Sequence, residues 1–199
     1  MLDDLSLHIL DIAQNSLIAG AKLIHMELRE YTAEDALTLL VSDDGCGMTD
    51  ALLDRIRDPF TTTRTSRRVG LGVPMLAQLC TQCGGALTIT SKMGEGTALR
   101  ADMRRSHIDR PPLGDLAGTL YILCLTSGES NIWFKQTFNR MAFVIDTAEI
   151  KKRLQCSRFD PSLHGKRLKT AIDTGLAALS PKANIDEDLS LLVYVADLL

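Results

Sequence analysis

Two neighbouring stretches of polar–apolar alternation constrain the fold of this 199-residue chain more than any other feature. In residues 22–30, Ile24, Met26 and Leu28 alternate with polar or charged side chains, and residues 36–42 repeat the pattern. A period of two is typical of strands that bury one face and leave the other to solvent. We therefore expect two half-buried strands whose apolar faces lie against a common core.

Three predicted helices and a second pair of strands complete the first half of the chain. Apolar residues recur at helical spacing, and Thr49 is placed to cap the second helix. This order of elements favours helices packed on one face of a mixed, mostly antiparallel sheet, which is an α+β, two-layer α/β sandwich. The predicted helices cover residues 5–19, 49–57 and 71–83, and the strands cover residues 86–91 and 97–103.

The composition changes after residue 105. Residues 106–114 contain two adjacent prolines and are predicted to be a linker. The patterns beyond them favour a small α+β unit, so we divide the chain into a first domain, residues 1–105, this linker, and a C-terminal unit, residues 115–199. In that unit we predict a helix over 115–125, a hairpin of 131–138 and 141–146, helices over 147–154 (capped by Thr147) and 161–179, and an ambiguous segment at 189–195.

The composition is typical of a soluble globular protein, with 45% hydrophobic and 24% charged residues. A net charge of −3 gives no broad reason to expect nucleic-acid binding. The chain contains no apolar run of about 18 residues, and its first residues are acidic, so we expect neither a membrane span nor a signal peptide. The odd number of cysteines, five, argues against a disulfide scaffold. These features together predict a cytoplasmic location.

Polar side chains form a stripe along the first predicted helix. His8, Asp11 and Asn15 stand at positions i, i+3 and i+7, which places them on one side of the helix. Such a stripe is either the solvent-exposed face or, if it faces the sheet, the wall of a site that holds water or a ligand. The stripe alone leaves both interpretations open.

Glycine-containing turns follow at three points along the chain. The sequence Asp43-Asp-Gly-Cys-Gly47 comes directly after a predicted strand, and its glycines allow close backbone approach. Gly70-Leu-Gly72 stands where a loop enters a helix, and backbone N–H groups at such a position bind anions. Gly94-Glu-Gly-Thr97 is typical of a hairpin turn. Each of these motifs is weak alone.

In this order, the motifs resemble those of the GHKL superfamily of ATPases and kinases, which includes histidine kinases, DNA gyrase and MutL. The resemblance covers about residues 5–103 and implies a Bergerat-type ATP-binding fold for the first domain, with ATP and Mg²⁺ as ligands. The segment 106–114 also resembles a group of small stand-alone bacterial ATP-binding proteins. The matching segments are the N box at 10–21, the G1 box at 43–48, the F box at 58–64, the G2 box at 69–73 and the closing glycines at 84–85 and 94–97.

The resemblance implies a role for residues around the adenine. Asp43 matches the aspartate that accepts a hydrogen bond from the adenine amino group. Gly45, Gly47 and Met48 belong to the turn against which the base lies. Thr97 matches a threonine near the adenine edge.

A second set of residues matches the positions that meet the phosphates. Asn15 matches the asparagine that ligates magnesium, and an amide oxygen is a hard ligand suited to that ion. Gly70, Leu71 and Gly72 match the lid segment whose amides contact the phosphates. Thr63 and Arg64, with the neighbouring Arg67 and Arg68, lie in the same lid; a solvated basic loop is an equally good interpretation of these arginines.

Asp11 stands where ATP-hydrolysing and serine-kinase members carry a glutamate as general base. The aspartate keeps the carboxylate but is one methylene shorter, so it acts as the base through a water molecule or supports slow turnover. The alternative is that Asp11 only helps to hold magnesium or its water ligands. The lysine that kinases often carry after the asparagine is absent from residues 16–21, which is a departure from the family pattern.

Three functions remain open for such a protein. The first is a histidine-kinase-like protein that transfers the γ-phosphoryl group of ATP to a partner protein in trans. The second is a slow ATPase that acts as an ATP-gated conformational switch, and the third is a non-catalytic nucleotide-binding module. Because the motifs begin at about residue 5, we expect no upstream dimerisation helix with a phospho-accepting histidine. A protein partner is expected, and a homodimer remains open.

Overall fold

The computed structural model describes residues 4–57, 72–179 and 192–199. Its helices are α1 (Leu5–Ile18), α2 (Asp50–Arg57), α3 (Gly72–Gln82), α4 (Leu116–Thr126), α5 (Thr147–Arg153) and α6 (Pro161–Ala177). Its strands are β1 (Leu23–Tyr31), β2 (Ala36–Asp43), β3 (Ala86–Lys92), β4 (Gly96–Arg104), β5 (Asn131–Phe138), β6 (Met141–Asp146) and β7 (Leu192–Tyr194), followed by a 3₁₀ turn, Val195–Leu198. Among the helices of these residues, none is both long and apolar enough to cross a membrane.

All of these strands form one mixed sheet in the order β3-β4-β2-β1-β5-β6-β7. Four of its six pairings are antiparallel, whereas β1 pairs with β5 and β6 pairs with β7 in parallel. Along β1, every second residue from Ile24 to Glu30 is buried, and β2 alternates in the same way. Helix α1 packs against β1 and β2, helix α3 packs against β3 and β4, and their buried side chains belong to one core cluster. The predicted α+β two-layer sandwich is confirmed.

The C-terminal elements continue this sheet. β5 pairs with β1 over its whole length, from Leu23 opposite Asn131 to Glu30 opposite Phe138. Helix α4 packs between α1 and α6. The segment predicted as a linker is tied to the start of α1, because the amide of Leu5 donates to the carbonyl of Pro112 at 3.0 Å. The division into domains stays a prediction, but strands from both sides of the segment share one sheet.

The start of α5 differs from the prediction that Thr147 caps it. The cap is Asp146, whose Oδ1 accepts from the amides of Ala148 at 2.9 Å and Glu149 at 3.2 Å. Thr147 is the first helical residue and is fully buried, and its Oγ1 accepts from the amide of Ile132 at 2.7 Å. Either the Asp146 carboxylate or the Thr147 hydroxyl could have capped the helix. The Thr147 hydroxyl instead accepts a hydrogen bond from the neighbouring strand β5, so Asp146 is the cap. All five cysteines are free thiols in the structure.

Candidate functional site

The polar stripe of α1 brings Asp11 and Asn15 together. The Asn15 Nδ2 donates to the Asp11 Oδ2 at 3.3 Å, one turn earlier on the helix. Because the amide nitrogen is directed at the carboxylate, the amide oxygen is the end of Asn15 turned to other ligands. Asn15 is exposed and Asp11 is half-buried, so this pair lies at the surface and not in the core.

His8 belongs to the core side of α1. Only 3% of it is exposed, and its Nδ1 has no hydrogen-bond partner in the part of the chain that the structure describes. Burial lowers the pKa of His8, while the carboxylates of Asp11 and Asp4 oppose this change. The imidazole is therefore neutral near pH 7 and does not extend the charged part of the stripe.

The start of α3 lies directly against Asp11. A Cβ added to Gly72 would lie 1.8 Å from the Asp11 Oδ2, so only glycine lets the helix backbone approach the carboxylate this closely. Sequence reasoning placed Gly72 at a phosphate-binding helix start and Asp11 at the base position. The structure places these two positions in contact.

Asp43, at the end of β2, is held from two sides. Its Oδ2 accepts from the Ser16 hydroxyl at 2.7 Å, and its Oδ1 accepts from the amide of Gly45 at 2.9 Å. Ser16 is 4% exposed, and its single proton has a longer alternative, the Ile12 carbonyl at 3.3 Å. The shorter contact to the charged group takes the proton. Both bonds fix the orientation of the Asp43 carboxylate as an acceptor.

Sequence reasoning missed Ser16. The signal for it was present, since Ser16 follows Ile9 and Ile12 at helical spacing and is thus a hydroxyl in the apolar stripe that faces the sheet. A buried polar group in that stripe needs a partner. Asp43 is that partner.

Thr97 lies beside Asp43 on the same face of the sheet. The two residues are directly opposite in the β2–β4 pairing, and Thr97 is also opposite Ser91 in the β3–β4 pairing. Directly opposed residues of antiparallel strands project to the same side. Asp43, Thr97 and Ser91 therefore form a row across three strands, which we call the polar row.

Ser91, the second residue that sequence reasoning missed, joins the row to the turn after β2. Its Oγ lies 2.9 Å from the Met48 amide nitrogen, 2.8 Å from the Gly96 carbonyl oxygen and 2.9 Å from the Thr97 Oγ1. Nothing in the sequence around Ser91 distinguishes it from an ordinary strand serine. Only the register of β3 against β4 reveals its partners.

The turn of residues 44–48 is docked on the hairpin that connects β3 and β4. The Gly94 amide donates to the Cys46 carbonyl at 2.8 Å. Gly47 has a φ of 64°, and a Cβ added there would lie 2.0 Å from the Lys92 carbonyl oxygen. The close approach and the left-handed backbone both require glycine at this position.

Asp44 anchors the same turn to β1. Its Oδ1 accepts from the amides of Lys22 at 2.7 Å and Leu23 at 2.9 Å. The hydrogen bond from Leu23, followed by the one from Lys22, holds the pKa of Asp44 below its ordinary value. The turn that carries Gly45, Gly47 and Met48 is thus fixed on both sides.

Several predicted positions lie outside the described residues. They are all in the lid segment: Thr63, Arg64, Arg67, Arg68, Gly70 and Leu71. Within the described residues, the sequence-predicted positions fall into two groups, Asp11 with Asn15 and Gly72, and Asp43 with the turn and Thr97.

Two shallow clefts lie next to the polar row, with volumes of about 390 and 300 Å³. Ser42, Thr90 and Ala98 line both, and these residues alternate with Asp43, Ser91 and Thr97 along their strands. They therefore project from the sheet face opposite to the helices. We place the candidate site on the helix side, where Asp11 and Asp43 lie; the larger cleft is also lined by Asp43, Ser91 and Thr97.

The fold and the motifs define a class of protein, the GHKL-type ATP-binding modules. The family model described as "Histidine kinase-, DNA gyrase B-, and HSP90-like ATPase" matches residues 2–107, more than half of the chain, and the chain belongs to this family. Its membership supports an ATP-binding, kinase-like module.

Several curated bacterial proteins are similar to this chain over short stretches. A putative sensor protein of Shewanella frigidimarina is 37% identical over 35% of the chain, and the sensor kinase CckA of Brucella abortus is 29% identical over 44%. The sensor protein kinase FleS of Pseudomonas aeruginosa is 36% identical over 29%. These matches span 11%, 9% and 14% of the respective relatives.

A solved structure also aligns with this chain. It is a crystal structure of the N-terminal domain of a DNA repair protein, and the alignment covers 67% of this chain and 49% of that one at 14% identity with a TM-score of 0.44. A likeness this distant adds nothing to what the fold already shows.

Proposed function

We propose that this protein binds Mg²⁺-ATP and transfers the γ-phosphoryl group to a partner protein in trans. The observation that carries the proposal is the contact between Asp11 and the start of α3, on the same helix that holds Asp43 through Ser16. Asp11 and Ser16 are five residues apart, which is about 7.5 Å along a helix with a rise of about 1.5 Å per residue. Helix α1 thereby sets the distance between Asp43, which would recognise the adenine, and Asp11, whose carboxylate would take part in the reaction.

In this proposal, the adenine amino group donates to Asp43 and the phosphates extend along α1 towards Asn15. The N-terminus of α3 presents backbone N–H groups beside Asp11, where a γ-phosphate would lie. Asn15, with its amide oxygen, fits as a ligand of Mg²⁺, which would neutralise phosphate charge. In the described residues, no cluster of three or more His, Cys, Asp or Glu side chains offers a metal site of its own. The phosphates and water would supply the remaining ligands.

Asp11 is the proposed general base. It accepts the proton of the attacking hydroxyl or imidazole of the partner as a bond forms between that group and the γ-phosphorus. The bond between the γ-phosphorus and the bridging oxygen breaks, and ADP leaves with that oxygen. Its position next to Gly72 and Asn15 supports this role, because the carboxylate then lies beside the groups proposed to meet the phosphates.

A second candidate function is the slow ATPase that acts as a conformational switch. The hydrogen bonds of Asp44 to residues 22–23 support it, because this segment also contacts the C-terminal half. The Asn131 amide donates to the Lys22 carbonyl at 2.8 Å, and the Ser130 hydroxyl donates to the Ala21 carbonyl at 2.7 Å. A conformational change in the turn of residues 44–48 could therefore reach β5 through the hydrogen bonds of residues 21–23.

Incubation of the chain with ATP labelled at the γ-phosphate, with Mg²⁺ and with or without cell extract, separates these functions. Transfer predicts label on a second protein, and the switch predicts labelled inorganic phosphate without extract. Asp11→Asn should stop either reaction and leave ATP affinity unchanged, and Gln14→Ala, an exposed residue of the same helix, serves as the matched control. Label that stays in ATP under all conditions would contradict both functions.

A further inference from the structure

The hydroxyl of Ser91 takes part in three close contacts, and its donors and acceptors can be counted. A serine hydroxyl has one proton and two acceptor positions. The Met48 amide donates to Ser91 and occupies one acceptor position. The Gly96 carbonyl can only accept, so Ser91 donates its single proton to that oxygen.

These two contacts determine the direction of the third hydrogen bond, between Ser91 and Thr97. Ser91 has no second proton to give, so the Thr97 hydroxyl must donate across the 2.9 Å that separates the two oxygens. The Thr97 Oγ1 then presents only lone pairs to its surroundings. Asp43, directly opposite Thr97 on β2, is also acceptor-only, because Ser16 and Gly45 both donate to it.

We infer that Ser91 is a specificity-determining residue of the nucleotide site, because it holds the Thr97 hydroxyl as an acceptor facing the edge of the base. This inference rests on the proposed binding of ATP. A base edge that carries an amino group at position 6 finds acceptors on both Asp43 and Thr97. A carbonyl at position 6 meets lone pairs on both side chains and finds no donor there, and a polar group left unpaired in this way weakens the binding of the wrong base.

Ser91 acts through Thr97 and is a positioning residue. Removing its hydroxyl releases the proton of Thr97, which can then turn towards a carbonyl at position 6 of the base. The consequence is a change in selectivity, which a loss of stability alone would not produce.

The test compares ATP with inosine triphosphate, which carries a carbonyl in place of the 6-amino group, by calorimetry with Mg²⁺. We expect Ser91→Ala to lower the ratio of ATP affinity to inosine triphosphate affinity about tenfold. Ser91→Thr keeps the hydroxyl and should keep the ratio. Thr90→Ala, the exposed neighbour on the other face of β3, is the matched control and should leave the ratio unchanged.

A double-mutant cycle isolates the coupling to Thr97. In a Thr97→Val background there is no hydroxyl left to orient, so Ser91→Ala should no longer change the ratio. If Ser91→Ala does not fold, Ser91→Cys offers the same test, because a thiol is a weaker donor of similar size. A wild-type preference for ATP that persists in folded Ser91→Ala or Ser91→Cys would overturn the inference and spare the proposed function. A wild-type chain that binds neither nucleotide would overturn both.

Discussion

The two ends of the candidate site are held in very different ways. At the end near Asp43, two donors fix the carboxylate, Ser91 joins three groups, and the turn of residues 44–48 is bonded to a hairpin and to β1. At the end near Asp11, the carboxylate and Asn15 share one hydrogen bond of 3.3 Å at a partly exposed surface. We call the Asp43 end the base end, after the adenine base, and the Asp11 end the phosphate end.

This difference separates affinity from turnover. A site whose groups are already oriented loses little conformational freedom when a ligand binds. Substitutions at the base end should therefore change nucleotide affinity and selectivity. Substitutions at the phosphate end should mainly change the response to magnesium and the rate of reaction.

The largest effect is expected from Asp43→Asn. The amide would present a donor where the adenine amino group also donates, so ATP affinity should fall about a hundredfold while GTP affinity changes little. Calorimetry with both nucleotides measures this, with Asp50→Asn, an exposed aspartate of α2, as the control. Equal losses for ATP and GTP would break the assignment of Asp43 to the base end.

Asn15→Ala should act on the other end. We expect the gain in ATP affinity on adding Mg²⁺ to fall by at least about tenfold, because an oxygen ligand of the ion is lost. Affinity measured in EDTA should stay the same. Gln14→Ala is the control, and a full magnesium response in Asn15→Ala would remove Asn15 from the metal site.

Gly72→Ala sharpens the comparison within the phosphate end. The new methyl group would overlap the Asp11 Oδ2, which must move away because it is the tip of a flexible side chain. Turnover should fall about tenfold, since a misplaced base loses its proton-transfer geometry. ATP affinity should stay within about twofold, and Gln78→Ala on the exposed side of α3 should change neither. A turnover equal to wild type would show that Asp11 is not the base.

The smallest effect concerns Asp44 and pH. Its folded-state pKa is lower than the ordinary value of 3.8, so its contribution to stability is present above that value and is lost as the pH falls through the folded-state pKa. Because the side chain is exposed, only a modest difference in the free energy of unfolding is expected. Asp44→Asn should be slightly less stable than wild type at pH 7, and the gap should close in acid. A gap that widens in acid would contradict the anchoring of the turn.

Much of the fold followed from the sequence because its patterns are local. The alternation in β1 and β2 and the helical spacing in α1 gave these elements within one or two residues. The continuation of the sheet through β5 did not follow, because the pairing of Leu23 with Asn131 joins residues far apart in the chain. No local pattern specifies such a partner.

The candidate site shows the same division. Asp11, Asn15 and Asp43 stand in short motifs that the sequence alone reveals, and their roles are predictions. Ser16 and Ser91 were missed, because a serine gains its meaning here only from the atoms that face it. The prediction that Thr147 caps α5 was wrong for the same reason. Its hydroxyl accepts from the amide of Ile132, and this contact arises only when the sheet has formed.

The most direct test of this account is an experimental structure of the chain with Mg²⁺ and a non-hydrolysable ATP analogue. It should place the adenine amino nitrogen within hydrogen-bond distance of Asp43, with the γ-phosphate between Asn15 and the start of α3 beside Asp11. An analogue seated on the opposite face of the sheet, or with its phosphates turned away from α1, would contradict the account.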